Sequence, residues 1–134
     1  MATITVNCAT AGVCQVRTVA SRHDSNTQLA EVTFDLSGTY DQDASESVEI
    51  TNIATAISTS RRNGKTATLT GACPGQSSYV ASTGTEYRWL TAILNSTTVD
   101  ATLYDGGTAA EYADDTALPT FGQPFSVFVS FTEA

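Results

Sequence analysis

Residues 125–131 read Phe-Ser-Val-Phe-Val-Ser-Phe, and they give the clearest indication of how this chain folds. Apolar residues fall on every second position: Phe125, Val127, Val129 and Phe131. This period of two is typical of a strand with one buried face. The stretch therefore predicts a strand whose polar residues Ser126, Ser130 and Thr132 face away from the core.

The same alternation recurs along the rest of the chain. It is clear at Val32, Phe34 and Leu36, which precede Gly38. Further strands are predicted over Thr3–Asn7, Val13–Ala20, Thr66–Thr70 and Thr98–Tyr104. Residues 88–94 are apolar on both faces and indicate a central strand. Residues 22–28 and 105–119 are polar and predict loops, the second with room for a short helical turn.

One segment has a helical period instead. Ile50, Ile53, Ala54 and Ile57 are spaced for one helix face, with acidic residues before them and basic residues after them. Asp43 and Glu46 resemble a capping box, and Asn63-Gly64 supplies a stop. The spacing predicts a helix over about 45–62. A pair of strands is the alternative, because β-branched residues are dense here.

Together these elements predict an α+β, mainly β fold. We expect one domain over 1–134, an antiparallel β-sandwich or barrel-like domain with the helix packed on it. The composition agrees: 23 threonines and 13 serines suit polar outer strand faces, and only 15% of the residues are charged.

The charge excludes several partners. The net charge is −8 and Lys65 is the only lysine, so the chain would repel nucleic acids and anionic membranes. The sequence shows no signal peptide and no transmembrane span, and synthesis in the cytoplasm is expected. Three cysteines in such a chain predict reduced, half-buried thiols at Cys8, Cys14 and Cys73. A Cys8–Cys14 bridge across a hairpin is the alternative.

We find no catalytic, cofactor-binding or metal-binding set, and predict that the chain is not an enzyme. His23 is the only histidine and lies in a polar loop without a triad. The pairs Asp41/Asp43 and Asp114/Asp115 fit capping and solubility better than glycosidase chemistry. The calcium-loop start at Asp41 fails, because Glu46 and Asn52 stand at its sixth and twelfth positions.

Two further features have a structural and a functional interpretation. The basic run 61–65, Arg-Arg-Asn-Gly-Lys, fits helix capping better than phosphate binding. Trp89 fits a core position better than a sugar-stacking platform.

Three stretches resemble the small decoration (cement) proteins of tailed-bacteriophage capsids. They are Val32–Tyr40, Ile53–Leu69 and the final FGQPFSVFVSFTEA. The resemblance extends over most of the chain and is one of length, composition and charge. It carries no family site residues. It implies a non-enzymatic virion protein on the outer capsid surface, bound to the major capsid protein and commonly a homotrimer. Another head or tail component is a close alternative.

The resemblance does not indicate which surface contacts the partner, so we infer that surface from the position of residues in the chain. We expect the N-terminal residues Ala2, Thr3, Ile4, Thr5 and Val6 to bind the partner by adding to a sheet edge. The alternative function is a carbohydrate- or surface-binding β-sandwich module that uses Tyr79, Tyr87 and Trp89. A small enzyme ranks third.

Overall fold

The computed structural model describes residues 4–21, 27–42, 47–75, 79–81, 84, 86–105, 110–113, 116–121 and 123–134, with the backbone alone at 20–21, 79–80, 88–91 and 105. The described elements are β1 (Ile4–Asn7), β2 (Cys14–Ser21), β3 (Gln28–Phe34), β4 (Thr39–Tyr40), β5 (Val48–Thr51), α1 (Ile53–Arg61), β6 (Ala67–Pro74), β7 (Tyr79–Val80), β8 (Glu86–Asn95), β9 (Thr98–Asp105), β10 (Thr116–Ala117) and β11 (Phe125–Glu133).

The strands form two main sheets and one small one. The five-stranded sheet has the order β1-β5-β9-β8-β7, and the four-stranded sheet has the order β2-β3-β11-β6. Strands β10 and β4 form a two-stranded sheet. The pairing is antiparallel throughout, except between β1 and β5. This confirms the α+β, mainly β prediction, and the arrangement is sandwich-like and not a closed barrel.

Both main sheets contribute to one core. The four alternating apolar residues of β11 are fully buried, and they share a cluster with Ile50, Val99 and Leu103 of the five-stranded sheet. The buried face predicted for 125–131 is therefore confirmed. Ser126 differs from the prediction, because it is 7% exposed and a Cβ at Gly75 would overlap its side chain. The backbone just after β6 lies so close to β11 that only glycine fits at position 75.

The helix is shorter than predicted. It spans Ile53–Arg61, whereas Val48–Thr51 form β5, so the predicted helix over 45–62 is wrong in its first part. Val48 and Ile50 alternate inward as strand residues, and β1 and β9 pair with them from distant parts of the chain. Asn52, with φ 60°, turns the chain from strand to helix. The predicted capping box, Asp43 and Glu46, lies outside the described residues.

The helix ends one residue earlier than predicted, and its left-handed stop is Arg62 and not Asn63-Gly64. Arg61 occupies the last turn, where a cation complements the helix dipole, and Arg62 caps the helix in the left-handed region at φ 52°. The Ser58 hydroxyl accepts from the Ala67 backbone N–H at 3.0 Å and so fixes the helix to β6. Of the run 61–65, Arg61 alone lies in the last turn, whereas Arg62 caps the helix through its backbone N–H and not through its charge.

The remaining strands lie close to their predicted positions. Strand β8 lies inside the five-stranded sheet between β9 and β7, as expected for a central strand, but it is not buried on both faces, because Ile93 is 62% exposed. In the predicted loop 105–119, the described residues include β10 and a bridge between Tyr104 and Glu111, and they include no helix.

Candidate functional site: the edge strand and its disulfide-closed turn

Strand β1 forms one edge of the five-stranded sheet. It pairs with β5 in parallel, from Ile4 opposite Val48 to Asn7 opposite Thr51. No residue in the described ranges pairs with its other edge. An unpaired edge presents backbone N–H and C=O groups that can pair with a further strand.

The hydrogen bonds show which groups point outward. Ile4 N–H donates to the Ser47 carbonyl at 3.1 Å, and Cys8 N–H donates to the Thr51 carbonyl at 3.0 Å. Because alternate residues of a strand direct their N–H and C=O groups to opposite edges, those of Thr5 and Asn7 face away from β5. The Asn7 carbonyl accepts from Thr10 N–H at 3.2 Å. Thr5 therefore offers both an N–H and a carbonyl to a partner.

The described side chains of the predicted contact segment differ in their exposure. Ile4 and Val6 are 9% and 5% exposed and belong to the core, whereas Thr5 is exposed. Ala2 and Thr3 lie outside the described residues. Deleting residues 2–6 would therefore remove two core side chains and should destabilise the domain.

A disulfide between Cys8 and Cys14 closes the turn that follows β1. Their Cα atoms are 5.0 Å apart, within the usual range for a disulfide. The turn they close connects β1 of the five-stranded sheet to β2 of the four-stranded sheet. The predicted reduced thiols are wrong for this pair, and the bridged alternative is the one found. Cys73 is free as predicted, but it is exposed and not half-buried.

The turn between the two cysteines projects from the surface. All five of its residues, Ala9 to Val13, are exposed. A cleft of about 310 Å³ separates it from one side of α1. The cleft is lined by hydroxyl groups, small apolar groups and the disulfide, and by no ionisable side chain. A second cleft of about 210 Å³ contains one carboxylate, Asp35. Neither lining supplies an acid–base pair for catalysis.

Of the candidate catalytic carboxylates, only Asp41 lies in the described residues. Asp41 is buried, at 2% exposure. His23, Asp43, Asp114 and Asp115 lie outside the described ranges. No group of three potential metal ligands occurs in the part of the chain that the structure describes.

Sequence reasoning missed a buried tyrosine network. The Tyr40 hydroxyl donates to Glu111 Oε2 at 2.8 Å and accepts from Leu103 N–H at 3.1 Å, and Ser47 Oγ donates to the same Glu111 oxygen at 3.1 Å. Burial raises the pKa of Tyr40 far above its usual value. The hydroxyl therefore keeps its proton at neutral pH and acts as a structural donor.

A second cluster joins the helix to strands β3 and β11 of the four-stranded sheet. Glu133 accepts from Gln28 Nε2 at 2.6 Å, Arg61 Nε at 2.8 Å and Asn63 Nδ2 at 2.9 Å. We call these four residues the C-terminal clamp. Burial alone would raise the pKa of the Glu133 carboxyl, but the bonds from Asn63, Arg61 and Gln28 outweigh it and lower the pKa to about 2.

The clamp explains why Arg61 is not available as a ligand site. Its guanidinium also donates to Thr18 Oγ1 at 3.0 Å and lies over the Phe131 ring. Sequence alone gave no signal for this partnership, because 72 positions separate Arg61 from Glu133.

Of the three aromatic residues proposed to bind a sugar, only Tyr87 has a described side chain. Tyr87 packs against Tyr112 at 5.4 Å and Phe121 at 5.7 Å between ring centroids, so its ring belongs to an aromatic cluster. The side chains of Tyr79 and Trp89 lie outside the described part, although the Trp89 backbone pairs with Leu103.

Over the described ranges, α1 is far too short to cross a membrane, and no other helix there qualifies. No protein-family model, curated protein or solved structure matches this chain.

Proposed function

We propose that this chain is a non-enzymatic virion structural protein, an external decoration (cement) protein that stabilises the capsid of a tailed bacteriophage. It would be made in the host cytoplasm and act on the outer capsid surface, as a homotrimer bound to the major capsid protein. The observation that carries the proposal is the outer edge of β1, which is unpaired among the described residues.

The edge suits attachment through an extended segment of the partner. A strand added beside β1 would bond to Thr5 through its backbone, and the groups it uses are independent of side-chain identity. The disulfide at Cys8 holds the end of β1, so less conformational freedom is lost on binding. Several such contacts per trimer would add avidity although each one is weak.

The charge near the edge indicates what the partner surface should be like. Glu49 of β5 lies beside Thr5, and Asp100 of β9 lies opposite Glu49. Two neighbouring carboxylates on one sheet face favour a neutral or basic partner.

Thr5→Pro tests the edge directly. Proline removes an N–H that points away from β5, so the internal β1–β5 bonds remain. Thr5→Ala is the matched control, because it shortens the side chain and keeps the N–H. We expect Thr5→Pro to lose co-sedimentation with purified capsids that lack the protein, whereas Thr5→Ala and the wild type co-sediment.

Melting curves of both variants separate loss of binding from loss of folding. Equal capsid binding by Thr5→Pro and Thr5→Ala would contradict attachment through this edge. A wild-type protein that is monomeric and does not co-sediment would overturn the decoration function. Retention of a defined glycan by that monomer would support the carbohydrate-binding alternative.

A further inference from the structure

Asn63 is the only one of five asparagines that glycine follows. Asn63 and Gly64 are both exposed and connect α1 to β6. We propose that Asn63 is a site of spontaneous deamidation, and that its conversion to aspartate or isoaspartate opens the C-terminal clamp. This inference does not depend on the capsid function.

The reaction needs only water. The backbone nitrogen of Gly64 attacks Asn63 Cγ and gives up its proton, the bond from Cγ to the side-chain nitrogen breaks, and ammonia leaves. The five-membered succinimide that remains is opened by water at either carbonyl. Opening at one carbonyl gives aspartate, and opening at the other gives isoaspartate, in which the main chain continues through the side-chain carboxyl.

The local structure favours the attack. No described backbone group accepts a hydrogen bond from the Gly64 N–H. Gly64 has φ +73°, and nothing lies within 4 Å of the place where a Cβ would stand. The Lys65 N–H donates to Asn63 Oδ1 at 3.1 Å, which polarises the carbonyl that is attacked.

The product would disrupt the clamp. In the native chain, Asn63 Nδ2 donates to Glu133 Oε2 at 2.9 Å. Deamidation replaces this donor with a carboxylate oxygen, and two carboxylates would then face each other. Isoaspartate also lengthens the main chain between Arg62 and Gly64, so the acceptor for Lys65 N–H moves. Both products weaken the bond between the helix end and β11.

Ageing the full chain in mildly alkaline buffer, below its melting transition, tests the site. Peptide mapping by mass spectrometry should show Asn63 deamidating several-fold faster than the other asparagines. Asn63→Gln, which would need a larger ring, should abolish the fast phase. An unmodified Asn63, when other asparagines have reacted, would overturn the proposal.

Two aspartate variants test the consequence. Asn63→Asp should melt several degrees below the wild type. Asn95→Asp is the matched control, because Asn95 Nδ2 also donates to a carboxylate, Asp100 Oδ2, at 3.0 Å. That carboxylate lies on an outer sheet face and not in the clamp, so we expect a smaller loss.

Aged wild-type protein, separated by charge from unaged protein, gives the same comparison if Asn63→Asp does not fold. Equal melting temperatures of the aged and unaged fractions would show that the clamp does not depend on Asn63. A lower melting temperature in the aged fraction would support the proposal.

Discussion

The Glu133 side chain is only 4% exposed and is bonded by three donors from three parts of the chain. Its charged form is therefore stabilised by folding. Because its pKa in the folded protein is about 2, against an ordinary 4.5, the unfolded chain binds its proton more readily. This contribution to stability is present above pH 4.5 and is lost as the pH falls from 4.5 towards 2.

Glu133→Gln should therefore lower the free energy of unfolding at neutral pH by about 1–3 kcal/mol, as for hydrogen bonds to a charged group. It should also flatten the pH dependence of stability in the acidic range. Urea unfolding at a series of pH values measures both effects. Glu31→Gln is the control, because Arg17, its partner, is 70% exposed, and such pairs contribute at most about 1 kcal/mol. Parallel pH profiles for the wild type and Glu133→Gln would contradict the assignment.

Val127→Asp should be severely destabilising. The side chain is fully buried between the sheets, and an unpaired carboxylate there costs several kcal/mol. Thr68→Asp on the exposed face of β6 should be mild. Ser126→Asp, which the sequence predicts to be mild, is now expected to be costly because Gly75 packs against the side chain. Chemical denaturation of the three variants checks this order, and equal losses at Val127 and Thr68 would refute the register.

At the scale of elements, Asn52 decides where strand becomes helix. Its left-handed backbone at φ 60° is accessible to asparagine and glycine, and is strained for β-branched residues. Its side chain also donates to Oδ1 of Asn7, the last residue of β1, at 2.8 Å. The change of direction thus depends on one backbone conformation between β5 and α1.

Asn52→Val should lower the free energy of unfolding by about 1–3 kcal/mol, the usual cost of a strained backbone position. Asn52→Gly should lower the free energy of unfolding much less. It removes one exposed hydrogen bond, but glycine adopts the left-handed conformation without strain. Thermal melts followed by circular dichroism compare the two. A valine variant as stable as the glycine variant would show that the position tolerates any residue.

The strands and the helix were predictable to different degrees. Alternation over 125–131 located β11 because its period is local and one face is buried. The segment 48–57 fits both periods, so its division at Asn52 depended on pairing with β1 and β9, which sequence does not show. The candidate site was predicted in part, since Thr5 is exposed at an edge while Ile4 and Val6 are core.

At the scale of the whole molecule, the Cys8–Cys14 disulfide cross-links the region after β1, in one main sheet, to β2, in the other. Sequence could not decide for it, because the odd number of cysteines and the expected synthesis in the cytoplasm favoured thiols. The topology could not be predicted either. The parallel pairing of β1 with β5 joins residues 44 positions apart, such as Ile4 and Val48, and has no local signature.

Replacing both cysteines by alanine should lower the free energy of unfolding by about 2 kcal/mol, as for a short closed loop. The wild type under reducing conditions should show a similar loss. Denaturation with and without reductant measures it, and thiol labelling should then detect Cys73 alone in the oxidised protein. Cys73→Ala is the control and should change stability little, since its side chain is exposed. An oxidised protein with three reactive thiols would contradict the bridge.

Strand β11 lies inside the four-stranded sheet, between β3 and β6, although it is the last described strand in the chain. During translation, β3 and β6 leave the ribosome long before the strand that joins them. Until β11 is synthesised, the edges of β3 and β6 that it will occupy remain unpaired. Unpaired edges are prone to aggregation and proteolysis. Folding of this sheet is necessarily a late event, and chaperones that shield open edges would act in the interval before β11 emerges.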